Sequence, residues 1–462
     1  MPVSRKVFTP AAVAASTRAW ASGSRSTIAW SPFSCRTRRA GTGGDRGHPL
    51  NGAAESLSTI LFFKIGSNLD RPSDVRKSGH VALSITAVDE PPGALGELRR
   101  EVAEFLEREI AAGGFAPEAD AWMSGVDPAF SRRLADRGWV GMTVPVRYGG
   151  HGRSALQRYV VTEELLVAGA PVAAHWIADR QMAPGILRNG TEEQKRRYLP
   201  GIARAEQFMA IGMSEPDSGS DLASVRTRAV EAGGGWRLTG TKVWTSGAHV
   251  ATAIIVLART GDGGGDRHAG LSQFIVDLPH PAVTVSPIIT IDGAHHFNEV
   301  VFDDAVVPPS ALLGRRGDGW RQVTAELGNE RSGPERVLST MPLLLAWART
   351  GAFDADPVAR ADLGRLVSRL TALRQLSLGV AGRLAAGEDP ALEAALVKDL
   401  GTAFEGEVVE VVRRHADPAS GTVPEGLAAM LAKAVLHVPA FTLRGGTSEV
   451  LRSIVAKGLA RR

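Results

Sequence analysis

The stretch IGMSEPDSGSDLASV (residues 211–225) divides two kinds of sequence. Upstream of it, apolar residues recur at helical spacing, beginning with Leu98, Val102, Phe105, Leu106 and Ile110, and helical segments run to about residue 208. Within them GWVGMTVPVRYGGHG (138–152) is a Gly/Pro-rich loop. GTEEQKRRYLP (190–200) carries a capping box, Thr191 with Gln194 three residues on. Downstream the period falls to two. WRLTGTKVW (236–244), AIIVLA (253–258), SQFIVD (272–277) and EVVFDD (299–304) alternate or run β-branched between turn residues, and EAGGGW (231–236) reads as a hairpin turn. From Trp320 helices return. The layout predicts an α+β chain with segregated layers: an extension over 1–88, a helical domain over 89–208, a β domain over 209–316 and a helical domain over 317–462.

Composition bounds the function. At 462 residues the chain exceeds one simple core. Residues 1–88 hold 12 Lys/Arg against 4 Asp/Glu, whereas the other 374 residues hold 41 against 45. The basic charge therefore belongs to the N-terminal arm, and a nucleic-acid-binding body is not indicated. That Arg/Ser-rich arm, with no acidic residue before Asp45, fits a disordered extension or mis-called start better than an organelle transit peptide. No run of 18 apolar residues offers a membrane span. The single cysteine, Cys35, excludes a disulfide framework and a Cys-based metal cluster. His249, His295 and His296 lack metal-ligand spacing, so no metal is expected.

Three constellations can carry chemistry. The first is the opening stretch itself. Ser214, Ser218, Gly219, Ser220 and Asp221 form a small polar loop that either lets a ligand approach the backbone or is a plain turn. Neither a phosphate loop nor a dinucleotide fingerprint is present. The second is GTKVWTSGAH (240–249), where a strand delivers Trp244, Thr245 and Ser246. An indole beside hydroxyls suits a flat heteroaromatic ligand, and equally a core Trp at a polar strand end. The third is GWRQVTAELGNERSGPERV (319–337). At helical spacing Trp320, Val323, Leu327, Pro334, Leu338 and Met341 share a face, with Glu330 and Arg331 on its shoulders and Gly328, Gly333 and Pro334 as kinking residues. A carboxylate near apolar surface suits a general base, while a structural Glu–Arg pair is the plainer alternative. The G-x-S-x-G of a serine hydrolase is absent.

Read in order, GWVGMTVPVRYGG, GTEEQKRRYLPGIA, GMSEPDSGSDLASVRTRA, GTKVWTSGA, FNEVVFDDAVVP, LGNER and RGGTSEVLRSIVA resemble the acyl-CoA dehydrogenase family over roughly residues 90–462. The likeness is nearest to bacterial fatty-acid-degradation-type members ending in Gly-Gly-Thr-Ser-Glu. The resemblance implies an N-terminal helical domain, a middle β domain and a C-terminal four-helix bundle. It also implies FAD, contacted by Met213, Ser214, Gly219, Ser220, Trp244, Thr245, Ser246, Thr447 and Glu449, with Ser220, Arg331 and Gly445 near an acyl-CoA substrate. Many members carry the catalytic Glu at the position matching Gly445. Another branch takes it from an L-x-x-E-R context, which Glu330 matches.

The implied reaction is removal of the α-proton by Glu330 as a β-hydride passes to flavin N5, giving a trans-2-enoyl thioester, with electrons passing to an electron-transfer flavoprotein or similar acceptor. A backbone N–H at Gly445 would help to stabilise the enolate. Arg331 would orient the Glu330 carboxylate, contact substrate or serve structure. ARTGAFDADPVAR (348–360) and RRHADPASGTVPEG (413–426) depart from the family segments that reach a neighbouring subunit's FAD. A cytoplasmic homo- or heterotetramer is expected, and the departures suit a non-catalytic or half-site subunit of a heteromeric enzyme. Action on a carrier-protein thioester, or an oxygen-using flavoenzyme of the same fold, are the other readings.

Overall fold

In the computed structural model the described residues are 93–331, 333–416 and 423–460. The expectation for residues 1–88 lies outside them. The chain begins with α1 (Ala94–Ala111), α2 (Ala121–Ser124), α3 (Pro128–Asp136), α4 (Ala155–Val167), α5 (Ala173–Ile177), a π turn (Ala178–Met182), α6 (Ala183–Asn189) and α7 (Glu192–Ala203). In α1 the stripe Leu98, Val102, Phe105 and Leu106 is buried as its spacing requires, but Ile110, one residue from the end, is exposed. The capping box at α7 forms in full. Thr191 Oγ1 accepts from the Gln194 amide at 3.2 Å, and Gln194 Oε1 accepts from the Thr191 amide at 2.9 Å. The Gln194 side-chain NH2 also donates to the carbonyls of Ser310 and Leu312, so this cap ties the helical layer to the sheet.

Eight strands follow: β1 (Met209–Gly212), β2 (Arg228–Ala232), β3 (Gly235–Ser246), β4 (Ala253–Arg259), β5 (Leu271–Asp277), β6 (Val283–Ile289), β7 (His295–Val307) and β8 (Leu312–Leu313). They form one sheet in the order β6-β7-β3-β2-β4-β5-β8, with β1 parallel to β4. The hairpin expected at 231–236 joins β2 to β3, and Gly233 and Gly234 both have positive φ, as a tight primed turn demands. AIIVLA is continuous rather than alternating because β4 is covered on both faces. Ile254 and Val256 pack with Trp236, Leu238 and Phe302, while Ile255 packs with Met182, Ile186 and Leu199 of the helical layer. Each such fully buried side chain stabilises the fold by about 1.5–3 kcal/mol.

The C-terminal helices are α8 (Gly319–Arg331), α9 (Met341–Ala348), α10 (Ala352–Ala355), α11 (Pro357–Ala385), α12 (Ala391–His415), α13 (Glu425–Phe441) and α14 (Ser448–Ala460). Leu366 and Leu370 of α11, Phe404 and Val408 of α12 and Leu431 of α13 share one core with Val102 of α1 and Val160 of α4. The apolar stripe read through Met341 is not one helix. The α-helix stops at Arg331, Gly333 turns extended (φ −74°, ψ 159°), and a 3-10 turn spans Pro334–Arg336. Proline explains the stop: it lacks the N–H that the next helical bond needs.

Candidate active site

The opening stretch leaves β1 and is anchored on β3 by a buried ion pair. Lys242 is fully buried, and its ammonium donates to Glu215 Oε1 at 2.8 Å and to the Met213 carbonyl at 3.0 Å. Glu215 also accepts from the amides of Arg226 and Thr227 at 2.6 and 2.9 Å. Burial lowers the Lys242 pKa to about 8 against the opposing pull of Glu215. For Glu215, burial pushes the carboxyl up, but Lys242 and the amide donors outweigh it and hold the pKa below the usual value. Ser214 offers its carbonyl to the Val243 amide at 2.9 Å, so the loop rests on the residue just before Trp244.

At Trp244 the strand is irregular. The pairing of β3 with β7 shifts between Lys242 and Thr245, Trp244 adopts φ +58°, and the residue is 57% exposed. A left-handed backbone is unfavourable for a bulky side chain, and such outliers gather at ligand sites. Phe297 supports the indole edge-on, with centroids 5.7 Å apart. Thr245 is buried, and its Oγ1 has no hydrogen-bond partner. Its carbonyl accepts from Asn298 Nδ2 at 2.9 Å. Ser246 Oγ sits 3.6 Å from Met123 Sδ. Gly219 and Ser220 are exposed at the loop tip, and a side chain at Gly219 would meet only open space.

The second half is the turn between α13 and α14. Gly445 and Gly446 have φ +68° and +98°. A Cβ on Gly446 would lie 3.1 Å from the Arg331 guanidinium, so backbone conformation and space both call for glycine. Two cations hold the turn's carbonyls: Arg331 Nε donates to Gly445 at 3.2 Å and Lys398 Nζ to Gly446 at 2.7 Å. Among the described residues neither glycine amide donates a hydrogen bond. Thr447 Oγ1 accepts from the Val450 amide at 3.4 Å, in the first turn of α14. Glu449 lies exposed in that turn; its own amide and the Thr447 hydroxyl lower its pKa. Glu330 stands in the last turn of α8, one residue before Arg331; its side chain lies outside the described residues.

The two halves are linked by residues the sequence reading did not single out. Arg444, next to Gly445, forms a two-point ion pair with buried Asp120, at 2.7 and 2.6 Å. Asp120 accepts the Met123 amide on its carbonyl at 3.0 Å, and Met123 touches Ser246. Gly219 and Ser220 make no hydrogen bond to the glycine turn among the described residues. One missed residue had a signal: Lys242 shares strand parity with Trp236 and Leu238, and a lysine on an inward face needs a buried partner. Asp120 had none, because its partner is 324 residues away. The described residues include no group of three or more His, Cys, Asp or Glu able to hold a metal, and no helix long and apolar enough to cross a membrane.

With this arrangement established, comparison with known proteins is direct. Residues 95–206, 210–305 and 317–460 match the acyl-CoA dehydrogenase N-terminal, middle and C-terminal domains. The chain belongs to the acyl-CoA dehydrogenase family. It is 35% identical over 374 residues to the acyl-CoA dehydrogenase IpdE1 of Mycobacterium tuberculosis, covering 78% of this chain and 95% of that relative. It is 34% identical over 338 residues to the acyl-CoA dehydrogenase FadE29 of the same organism, covering 71% and 86%. The solved Tcur3481-Tcur3483 steroid ACAD is similar at 30% identity and a TM-score of 0.72, covering 80% of this chain and 98% of that one.

Family members are in general FAD-dependent flavoproteins. The residues present fit such a group: an exposed indole on a strained strand end, the buried Thr245 hydroxyl without a partner, and the open side of Gly219. An isoalloxazine has the flat face and the ring heteroatoms that this set would satisfy.

Proposed function

We propose that this enzyme dehydrogenates an acyl-CoA thioester between its α and β carbons to give the trans-2-enoyl-CoA, with Glu330 as the base. The observation that carries the assignment is the Arg331–Gly445 hydrogen bond, which holds the end of α8 against the glycine turn. Glu330 is therefore one residue from a side chain that touches the proposed thioester site. Met213, Ser214, Gly219, Ser220, Trp244, Thr245, Ser246, Thr447 and Glu449 would hold FAD, which supplies the hydride acceptor when bound. Gly445 and Gly446 present free amides to the thioester oxygen, backed by the positive end of α14, and so stabilise the enolate as Glu330 takes the α-proton. Ser220 and Arg331 would border the substrate. The reduced enzyme would pass its electrons to an electron-transfer flavoprotein or a similar acceptor.

The substrate class is a steroid-derived or fatty acyl-CoA, a reading supported by the solved relative named a steroid ACAD. That relative's two-part name, with the departures at 348–360 and 413–426, supports a second arrangement in which this chain is one subunit of a heteromeric tetramer. The test is the visible absorbance of the purified protein before and after anaerobic addition of an acyl-CoA panel. Bleaching of an oxidised-flavin band, abolished in Glu330→Gln, is the expected result. A protein that takes up no FAD alone but does so with a neighbouring paralogue would replace the homomeric arrangement. A flavin that no acyl-CoA bleaches would refute the reaction.

A further inference from the structure

The Gly445–Gly446 turn is held by more than its own hydrogen bonds. Arg444, immediately before it, points into a closed charge cluster contributed by three parts of the chain. Asp120, at the start of α2, receives both Arg444 amino groups. Its Oδ2 also lies 3.3 Å from His437 Nδ1 on α13. His437 Nε2 in turn lies 2.8 Å from Asp292, in the turn between β6 and β7. Asp120, Asp292 and His437 are all nearly buried, and the Arg444 guanidinium stacks over Trp122 at 4.8 Å. Asp120 is also one of four non-glycine residues with positive φ among the described residues. A planar guanidinium on a carboxylate is a directional, two-point contact. Here it fixes the residue that leads into the turn.

We propose that Asp120 is a positioning residue for the dehydrogenation: through Arg444 it sets the orientation of the Gly445 and Gly446 amides toward the thioester oxygen. The inference rests on the reaction proposed above. The geometry is specific to that task. The turn's two carbonyls are held by Arg331 and Lys398, and the Arg444–Asp120 pair holds the residue that precedes them, so the turn is fixed at both its carbonyls and its entry. A donor displaced by a fraction of an ångström loses most of its value to a developing oxyanion, because that value lies in preorganisation. Substrate affinity, which comes from the whole acyl-CoA, should hardly change.

The experiment uses the full chain reconstituted with FAD and compares the wild type with Asp120→Asn, Arg444→Lys and the double variant Asp120→Asn/Arg444→Gln. Three quantities are read: flavin per protein, the acyl-CoA concentration giving half-maximal flavin reduction, and the maximal rate of anaerobic reduction. The two-point clamp is weakened to at most one contact in Arg444→Lys and loses its charge pairing in the other two, while the backbone bonds of Asp120 to Ser339 and Met123 remain. The expected result is a maximal rate lowered about 10- to 100-fold, with half-saturation within about threefold of wild type and flavin content unchanged. Arg444→Lys should lie between wild type and Asp120→Asn, and the double variant should be no slower than Asp120→Asn alone, since the two residues act as a unit. If Asp120→Asn fails to fold because Arg444 is stranded, the double variant, which buries no lone charge, decides the matter. Folded variants that reduce at the wild-type rate per bound flavin overturn the proposal, whatever their melting temperature. A wild type that binds flavin but is bleached by no acyl-CoA overturns the reaction itself, and the positioning role with it.

Discussion

Arg331 and Gly445 lie 114 positions apart and are joined by one hydrogen bond, the Arg331 Nε donating to the Gly445 carbonyl at 3.2 Å. The bond makes the end of α8 and the turn before α14 a single object. The helix that carries the proposed base and the turn that carries the proposed oxyanion donors therefore cannot move independently.

Arg331→Lys keeps the charge and loses the planar fork. Because the lysine ammonium cannot reproduce both the carbonyl contact and the packing against Gly446, flavin reduction should slow about tenfold. Flavin content should stay the same. Rapid-mixing absorbance checks this, and a lysine variant as fast as wild type would show that charge alone suffices.

The Lys242–Glu215 pair should behave as a buried ion pair. Lys242→Met strands a carboxylate whose remaining donors are two amides, at a cost of about 3–5 kcal/mol. Lys242→Met combined with Glu215→Gln should cost markedly less than Lys242→Met alone. Thermal melting of the apo-protein reads the difference, and equal losses in both variants would contradict the pairing.

Trp244→Asn separates stability from cofactor binding. Asparagine accepts φ +58° far more readily than tryptophan, so the apo-protein should melt at the same temperature or higher. Loss of the indole face should weaken FAD about tenfold, matching about 1.4 kcal/mol of aromatic contact. Equilibrium flavin titration is the measurement, and unchanged FAD affinity would remove Trp244 from the site.

The contributions of Glu405 and His437 to stability should fall as pH rises, against the opposite trend of His175 and His296, whose pKa burial lowers to about 4. Burial pushes Glu405 up to about 7, although Arg444 and the Ser339 amide pull it down. A carboxyl held above its unfolded value of about 4.3 keeps its proton better in the fold, so its penalty grows as pH rises from there and is full above about 7. His437 acts in the same sense. Burial alone would lower its pKa, but Asp120 and Asp292 raise it. Its stabilisation is full below the unfolded value of about 6.5 and is lost as pH rises through the folded one. Glu405→Gln should therefore gain melting temperature relative to wild type as pH rises from about 5 to about 7, and a difference between the two that does not change with pH would exclude this role for Glu405.

What could be read from sequence was what repeats locally. The alternation in WRLTGTKVW gave β3, and the tryptophan followed by two hydroxyls pointed to the proposed flavin edge. Thr191 and Gln194 gave the start of α7 because a capping box lies within four consecutive residues. The run through Met341 misled, since apolar spacing persists across Pro334 while hydrogen bonding does not. Ile110 misled as well, because periodicity marks a stripe but not where its cover ends. The contacts that assemble the site were beyond such reading: Asp120 with Arg444, Lys398 with Gly446 and Arg331 with Gly445 join distant segments, and nothing in the local spacing of any of them names its partner.

Gln194 has one further consequence. Its side chain closes the cap on α7 and, through Ser310 and Leu312, also holds the short strand β8, which pairs with β5. The first turn of that helix cannot fray without giving up the carbonyls of the strand. Amide protons around residue 194 and around Leu313 should therefore exchange with solvent in one shared opening event, with the same protection and the same response to denaturant. A single side chain would thus set the boundary of a cooperative folding unit that includes both helix and sheet.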